Sequence, residues 1–386
     1  MRSFNVSRLP ALSFGVGKIS DLWKLAEVYG NRIGLITGAG TIDRSPELQN
    51  VLNNAEKNAV LSCRGKVVGE PTPTSVNSLV EEFRTSNPEV IIAIGGGSVV
   101  DGGKAVAAML CADGDVRHYL EGIGTRHHPG MKIPFIAVPT TAGTGSEATK
   151  NAVISEVGDA GYKRSLRHDN FVPDAAVIDP GLMISCPRDV TAWCGMDAFT
   201  QLLESYLSTN ANPFTDTMAL EGLGLIARSL RKVCLDGNDV EARSDMAMAA
   251  YLSGVTLANA GLGTVHGIAG PFGGFYQIPH GQVCSALMAP INRRTVEKLR
   301  SSRIDSGALE KYARVGRLFN PSSISDNAAI DSLLDAIHVW SAEFGLSKIT
   351  YPGVDVQKIA GASDNKSNPV KLTADEITQA LAEICT

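Results

Sequence analysis

Short apolar runs alternate with helical patterns along the first half of the chain. RIGLITG at residues 32–38, VIIAIGG at 90–96 and IPFIAVPTT at 133–141 have the length of strands, and VVGEP at 67–71 is predicted to be another. Helical periodicity fills the intervals, in SPELQNVLNNAEKN with Ser45 at its cap, in TSVNSLVEEFRTSN and in SVVDGGKAVAAML. This alternation predicts a parallel sheet that is covered by helices.

The pattern changes near Pro187, after which long helical periodicities dominate. We therefore predict an α/β parallel-sheet domain over residues 1–184 and an all-α domain over residues 185–386. A chain of 386 residues is long enough to bury a substantial core in each domain. The predicted helices of the second half cover residues 219–236, 242–260, 307–319, 329–345 and 373–385.

Two loops rich in small residues follow predicted strands. GGGSVVD at 95–101 opens a helix, which is the setting in which backbone N–H groups approach a pyrophosphate at a helix N-terminus. PTTAGTGSEAT at 139–149 could form a second wall of the same nucleotide site. The alternatives are a plain tight turn for the first segment and a flexible loop for the second. Neither is a Walker loop, because no GK[ST] occurs.

Four other side chains have spacings that suit a metal ion. Asp197 and Gln201 in GMDAFTQLLES are separated by four residues, so they lie on one face of a predicted helix. His266 and His280 follow, fourteen residues apart. A carboxylate, an amide oxygen and two imidazoles could enclose one divalent cation. The alternatives are a helix-start role for Asp197, core positions for the histidines, and a hydrogen bond from Gln201 to a metal-bound water.

Composition narrows the possible partners. The formal net charge is -5 and no basic stripe is interleaved with aromatic residues, so we expect no nucleic-acid partner. No run reaches about 18 uninterrupted apolar residues, so we expect no membrane span. The seven cysteines are scattered without a CxxC pair, which predicts reduced thiols and a cytoplasmic location.

The chain resembles a known family in five motifs and in their order along the chain. They are GGGSVVDGGKA, PTTAGTGSEAT, VIDP at 177–180, GMDAFTQLLES and HGIAGPFGGFYQIPHG, and together they span nearly the whole chain. The chain resembles the iron-containing (group III) alcohol dehydrogenase family. The resemblance implies a Rossmann-like N-terminal domain, a helical C-terminal domain of the dehydroquinate synthase-like architecture, and a homodimer. It also implies NAD or NADP in the cleft and a divalent metal, Fe²⁺ or Zn²⁺, below the nicotinamide.

The resemblance assigns roles to residues that match the motifs. Asp197, His266 and His280 match metal ligands, and Gln201 stands where the family usually has histidine. Near the active site, Asn151 and Lys163 match more loosely and are predicted to be catalytic. The predicted cofactor contacts are Gly95, Gly96, Gly97 and Ser98 at the pyrophosphate, Asp101 at the nicotinamide end, and Thr140, Thr141 and Thr144 at the adenine and ribose side.

Two further positions depart from the family pattern. Gly270 stands where the family usually has a histidine near the nicotinamide. Gly38 stands at a strand end that often carries an aspartate for the adenosine ribose, so we expect NADP(H) to be tolerated in place of NAD(H). Both departures concern the cofactor and the proton path, and they leave the family's overall chemistry as the expectation.

The predicted reaction interconverts an alcohol and an aldehyde or ketone, with a metal acting as Lewis acid on the substrate oxygen. Lys163, Arg164, Arg167 and His168 in GYKRSLRHDN form either a solvated loop or a reader of a carboxylate or phosphate on an anionic substrate. One alternative is a sugar-acid oxidase resembling 3-deoxy-manno-octulosonate 8-oxidase. Another is a metal-free, non-catalytic nucleotide-binding homologue.

Overall fold

The computed structural model describes residues 3–57, 61–302 and 307–386. Its first half is built on a six-stranded parallel sheet in the order β1-β8-β5-β4-β2-β3, and β6 and β7 form a separate antiparallel pair. Strands β4, β5 and β8 are buried along their whole length, as expected for a sheet covered on both faces. The strands are β1 Ala11–Phe14, β2 Ile33–Gly38, β3 Leu61–Val67, β4 Val90–Gly95, β5 Phe135–Pro139, β6 Asn151–Glu156, β7 Tyr162–Arg167 and β8 Ala175–Ile178.

Four helices connect the strands of the sheet. Thr72 caps α3 with a reciprocal capping box, and Ser45 caps α2 by accepting from the Leu48 N–H at 3.2 Å. The predicted helix over SPELQNVLNNAEKN is thus confirmed up to Lys57, and its last residue, Asn58, lies outside the described residues. These helices are α1 Leu22–Glu27, α2 Pro46–Lys57, α3 Pro73–Ser86 and α4 Gly97–Met109.

Two local predictions for the first half are wrong. The strand predicted at 67–71 lies instead at Leu61–Val67. This edge strand alternates exposed and half-buried positions, several of them polar, so it has no continuous apolar run. The basic segment GYKRSLRHDN is not a solvated loop, because most of it forms β7. Antiparallel pairing of β7 with β6 places Ser155 opposite Lys163 and Asn151 opposite Arg167.

The second half is helical among the described residues, as predicted. The largest apolar cluster combines these helices with Ala176 and Ile178 of β8, so the two halves share packing. No helix in the described part of the chain is long and apolar enough to cross a membrane. The helices are α5 Arg188–Leu207, α6 Pro213–Leu235, α7 Val240–Ala260, α8 Thr264–Phe275, α9 His280–Ser301, α10 Ala308–Phe319, α11 Asp326–Glu343, α12 Val356–Ala362 and α13 Ala374–Ile384.

Candidate active site

A cleft lies between the carboxyl ends of the strands and the helical half. It consists of two cavities of about 260 Å³ and about 750 Å³. The cavities share wall residues from both halves of the chain, so they lie side by side in the cleft. The shared residues are Glu70, Gly97, Ser98, Thr144, Asp197 and His280. A cleft at the carboxyl ends of parallel strands is where open α/β sheets bind their ligands.

The first loop of the cleft connects β4 to the N-terminus of α4. Gly96, Gly97 and Ser98 line the cleft at this helix start. A Cβ added to Gly97 would overlap the side chain of Thr144, so only glycine lets the two loops approach this closely. The positive end of the helix dipole and its first N–H groups therefore face the cleft, as a pyrophosphate site requires.

The second loop follows β5 and runs beside the first. Thr141 and Thr144 line the cleft, whereas the Thr140 N–H donates to the Gly95 carbonyl at 2.9 Å and ties the two loops together. Gly38 lies at the end of β2, beside Thr41. Gly38, Gly95 and Thr140 are not among the described residues that line the two cavities.

A buried lysine and aspartate hold the floor of the cleft. Lys104 Nζ donates to the backbone oxygens of Ser146 at 2.8 Å and of Asn151 at 2.7 Å. Asp101 accepts from the Ser146 hydroxyl and from the Val153 N–H, the latter at 3.0 Å. Burial lowers the pKa of Lys104 to about 8, although Asp101 opposes the shift, and burial raises the pKa of Asp101. This network fixes the second loop and the start of β6.

Asn151 and Lys163 are brought into the same cavity as the predicted metal ligands. Lys163 forms an ion pair with Glu70, which also accepts from the Ser155 hydroxyl at 2.6 Å. Burial opposes ionisation of Glu70, but Lys163 outweighs it and the pKa of the carboxyl is lowered. The pair is therefore a charged element of the cleft wall, about 11% exposed on the lysine side.

The strand alternation of β7 separates the members of the basic cluster. Lys163 and Arg167 face the cavity, and Arg167 is also within 3.3 Å of Glu121. Arg164 lies on the other face of the strand, beside Gly122, and is exposed. Lys163 and Arg167 are therefore the members of the basic cluster that could contact a substrate in the cavity, whereas Arg164 could not.

Three helices bring the predicted metal ligands together. Asp197 comes from α5, His266 from α8, and His280 is the first residue of α9. Asp197 Oδ1 lies 3.3 Å from His266 Nε2 and 3.9 Å from His280 Nε2. Burial opposes ionisation of Asp197, but the two histidines outweigh it and lower the pKa of the carboxyl. The cluster is thus an anionic carboxylate facing two imidazoles in a buried pocket.

Glu204 supports the cluster and was not predicted from the sequence. Its Oε2 lies 2.7 Å from His266 Nδ1, and its Oε1 accepts from the Val265 N–H at 2.7 Å. A carboxylate can only accept, so Nδ1 carries a proton toward Glu204, and Nε2 is thereby directed at Asp197 and the rest of the cluster. The signal was present in the sequence, because Glu204 follows Asp197 by seven residues on the same helix face.

Cys284 is a second unpredicted member of the cluster. Its Sγ lies 3.6 Å from His280 Nε2 and 3.7 Å from His266 Nε2. Ligand atoms from Asp197, His266, His280 and Cys284 all lie within 4.8 Å of one another, so these four residues could hold a metal ion. The i to i+4 spacing of His280 and Cys284 on α9 was the available sequence signal.

Gln201 lies in the cleft wall, but both ends of its amide contact protein groups. The amide nitrogen donates to Asp197 Oδ2 at 3.0 Å, and the oxygen accepts from the Ser253 hydroxyl at 2.7 Å. Gly270 lines the same cavity, and a Cβ added there would meet nothing within 4 Å. Gln201 and Gly270, two of the three departures from the family pattern, thus line the same cavity.

Known proteins resemble the chain along its whole length. Residues 10–180 match the family described as iron-containing alcohol dehydrogenase, and residues 191–385 match the Fe-containing alcohol dehydrogenase family, C-terminal. Alcohol dehydrogenase 4 of Saccharomyces cerevisiae is 38% identical over 286 residues, or 73% of each chain. NAD-dependent methanol dehydrogenase of Bacillus methanolicus is 30% identical over 96% of this chain and 97% of its own. The structure of an alcohol dehydrogenase from Oenococcus oeni is 29% identical and superposes with a TM-score of 0.87, covering 99% of this chain and 100% of its own.

Proposed function

Because the chain belongs to the iron-containing alcohol dehydrogenase family, we propose that it interconverts an alcohol and an aldehyde or ketone by metal-dependent hydride transfer with NAD(P)(H). The named relatives support an alcohol oxidoreductase. The observation that carries the finer proposal is the cleft itself. One wall is a glycine-rich helix start suited to a pyrophosphate, and the other is a buried carboxylate and imidazole cluster.

The donor set fits a divalent cation. Asp197 is anionic, and burial together with Lys163 lowers the pKa of His280, which keeps its imidazole neutral. Glu204 holds Nδ1 of His266, so that Nε2 points into the cluster. Carboxylate oxygen and neutral imidazole nitrogen are ligands of both Fe²⁺ and Zn²⁺. Such a cation would supply Lewis-acid polarisation of the substrate oxygen.

The cofactor is proposed to lie along the two loops. Its pyrophosphate would contact the start of α4 at Gly96, Gly97 and Ser98, and Thr141 and Thr144 would line its nucleoside side. Gly38 offers no side chain to repel a 2′-phosphate, so we propose that the site accepts both NADP(H) and NAD(H). Titration of the purified protein with both cofactors tests this, and NAD(H) bound far more tightly than NADP(H) would contradict it.

The substrate is proposed to be anionic. Lys163 and Arg167 face the cavity that also contains Asn151, so a carboxylate or phosphate on the substrate could reach a cation there. Each cation already has an acidic partner, Glu70 or Glu121, which limits the gain. A charge-assisted hydrogen bond of about 1.5–3 kcal/mol would still give about tenfold preference over a neutral alcohol of equal size.

The proton released with alcohol oxidation must leave the cavity by some route. Gly270 lines the cavity and leaves open space where the family usually has a histidine. We propose that water in this space carries the proton, with Lys163 and Asn151 orienting the substrate. Gly270→His should fold, because the added side chain meets open space, and it should shift the pH profile of kcat. An unchanged pH profile in a folded variant would contradict the water route.

A substrate panel tests the proposed reaction. Alcohols, aldehydes and sugar acids are assayed with both cofactors while oxygen uptake is followed, which also covers the sugar-acid oxidase alternative. Cofactor-linked turnover without oxygen uptake supports the proposal. The non-catalytic alternative predicts protein that holds no metal after purification without chelator and gains no activity with Fe²⁺ or Zn²⁺. The buried cluster of four ligand-type side chains speaks against it.

A further inference from the structure

We propose that Cys284 Sγ is the fourth ligand of the metal, alongside Asp197, His266 and His280, and that Gln201 orients Asp197 without touching the ion. This inference rests on the metal site of the proposed function and specifies its composition. Gln201, which stands where the family usually has a histidine ligand, would then not bind the metal. Cys284 would supply the fourth donor from a different helix. The arrangement joins a residue on α5 with one on α8 and two on α9.

Three of four separations between the ligand atoms match the edges of a tetrahedral site, and the fourth is longer. Zinc binds sulfur at about 2.3 Å and imidazole nitrogen or carboxylate oxygen at about 2.0–2.1 Å, so tetrahedral angles separate S from N by roughly 3.6 Å and N from O by roughly 3.3 Å. Sγ of Cys284 lies 3.6 Å and 3.7 Å from the two Nε2 atoms. The corresponding separations from Asp197 Oδ1 to the same two nitrogens are 3.9 Å and 3.3 Å. The Asp197–His280 separation of 3.9 Å is longer than the expected edge, so a single ion would draw these two side chains together on binding all four atoms.

Gln201 is excluded from this set by its hydrogen bonds. Since a carboxylate can only accept, the amide nitrogen must face Asp197, and the amide oxygen is thereby directed to the Ser253 hydroxyl. Ligation by that oxygen would break its contact with Ser253. Gln201 instead donates a hydrogen bond to Oδ2 of Asp197, and this leaves Oδ1 facing the histidines. Such outer contacts orient ligating groups in metal sites.

The proposed set changes the charge and softness of the site. Asp197 and a Cys284 thiolate carry two negative charges, which balance a divalent cation, whereas a set containing Gln201 carries one. Thiolate ligation favours zinc over harder ions of the same charge. Four protein ligands fill a tetrahedral site, so turnover requires expansion to a fifth position, which catalytic zinc sites allow. We therefore infer that Zn²⁺ is retained in competition with Fe²⁺.

Cobalt substitution tests the ligand directly. The wild-type protein is stripped of metal, loaded with Co²⁺ alone, and examined by absorption spectroscopy. A thiolate ligand gives a charge-transfer band in the near ultraviolet, separate from the visible bands of the tetrahedral ion. Zinc X-ray absorption is the second measurement, with a sulfur scatterer expected at about 2.3 Å. Visible bands without the charge-transfer band, or a zinc shell of nitrogen and oxygen alone, would overturn the proposal.

Variants add a matched comparison. Cys284→Ser should lose the charge-transfer band and lower zinc affinity by at least about 100-fold, whereas Gln201→Ala should keep the band and lose less affinity. Cys194→Ser is the control, because Cys194 lies on α5 near Asp197 and also lines the cleft. Loss of the band in Cys194→Ser, or its retention in Cys284→Ser, would overturn the assignment. If wild-type protein binds no metal at all, the metal site of the proposed function fails with it.

Discussion

The two walls of the cleft present different kinds of chemistry. The sheet wall presents backbone and small side chains, at the start of α4 and in the loop after β5. The helical wall presents a carboxylate, two imidazoles and a thiol from three separate helices. A backbone site can be built from a few consecutive residues, whereas the side-chain site depends on how α5, α8 and α9 pack. Each wall should therefore respond to a different class of substitution.

The largest effect is expected from a substitution in the helical wall that should leave the sheet wall unchanged. His266→Ala removes an imidazole and leaves Glu204 without its partner, so bound metal and turnover should both fall by at least about 100-fold. Cofactor binding, which we propose to depend on the sheet wall, should change little. Metal analysis and fluorescence titration with NAD(P)H measure the two quantities.

The control for this variant is His338→Ala, since His338 is exposed on α11 and lies outside the cluster. It should keep metal and activity. Undiminished metal in His266→Ala would remove His266 from the site, and lost cofactor binding would show that the two walls do not act separately.

The converse experiment changes the sheet wall. A Cβ at Gly97 would overlap the Thr144 side chain, and overpacking of this kind costs about 1–3 kcal/mol. Gly97→Ala should therefore weaken cofactor binding by about tenfold or more, with metal content unchanged. Gly224→Ala on α6 is the matched control, because an added Cβ there meets nothing within 4 Å. Equal cofactor affinity in both variants would contradict the assigned role of the first loop.

A smaller effect is expected where the walls meet the substrate. Arg167→Met should raise KM for an anionic substrate by about tenfold and leave neutral alcohols nearly unaffected. Arg164→Met is matched in chemistry and strand, but Arg164 faces away from the cavity, so it should change neither. If short neutral alcohols give the highest kcat/KM in the wild type, the substrate is not selected by charge.

The last prediction concerns the pH dependence of stability beneath the sheet wall. Burial raises the pKa of Glu147 to about 7, so its stabilising contribution is present below pH 4.5 and is lost as pH rises through about 7. Glu147→Gln removes this loss. Between pH 4.5 and pH 8 the wild type should lose up to about 3 kcal/mol of unfolding free energy that the variant keeps. Denaturant unfolding across this range measures it, with exposed Glu81→Gln as control. Parallel pH profiles for wild type and Glu147→Gln would contradict the prediction.

The difference between the walls also explains what the sequence could predict. The parallel sheet, the helical second half and both glycine-rich loops were readable because each depends on local periodicity or on consecutive residues. The edge strand β3 and the strand β7 were missed because their exposed positions are polar. Only the alternation of the strand separates Arg164 from Arg167, so the sequence did not show which of the two faces the cavity.

The helical wall was harder to predict from residues alone. The spacing of Asp197, His266 and His280 suggested a metal site and the family resemblance supported it, but their convergence depends on helix packing that no local pattern encodes. Cys284 and Glu204 each follow a predicted ligand at helical spacing, but buried cysteine and glutamate are common without a metal. The proposal that Cys284, and not Gln201, is the fourth ligand required the three-dimensional distances.

We propose that metal binding depends on the helical wall, that cofactor binding depends on the sheet wall, and that turnover requires both. The most direct measurement is cofactor-linked turnover in one preparation before metal removal, after metal removal and after reloading with Zn²⁺. We predict loss of turnover on removal, retained NAD(P)H binding throughout, and recovery on reloading. Full turnover in protein verified to be free of metal would contradict the account.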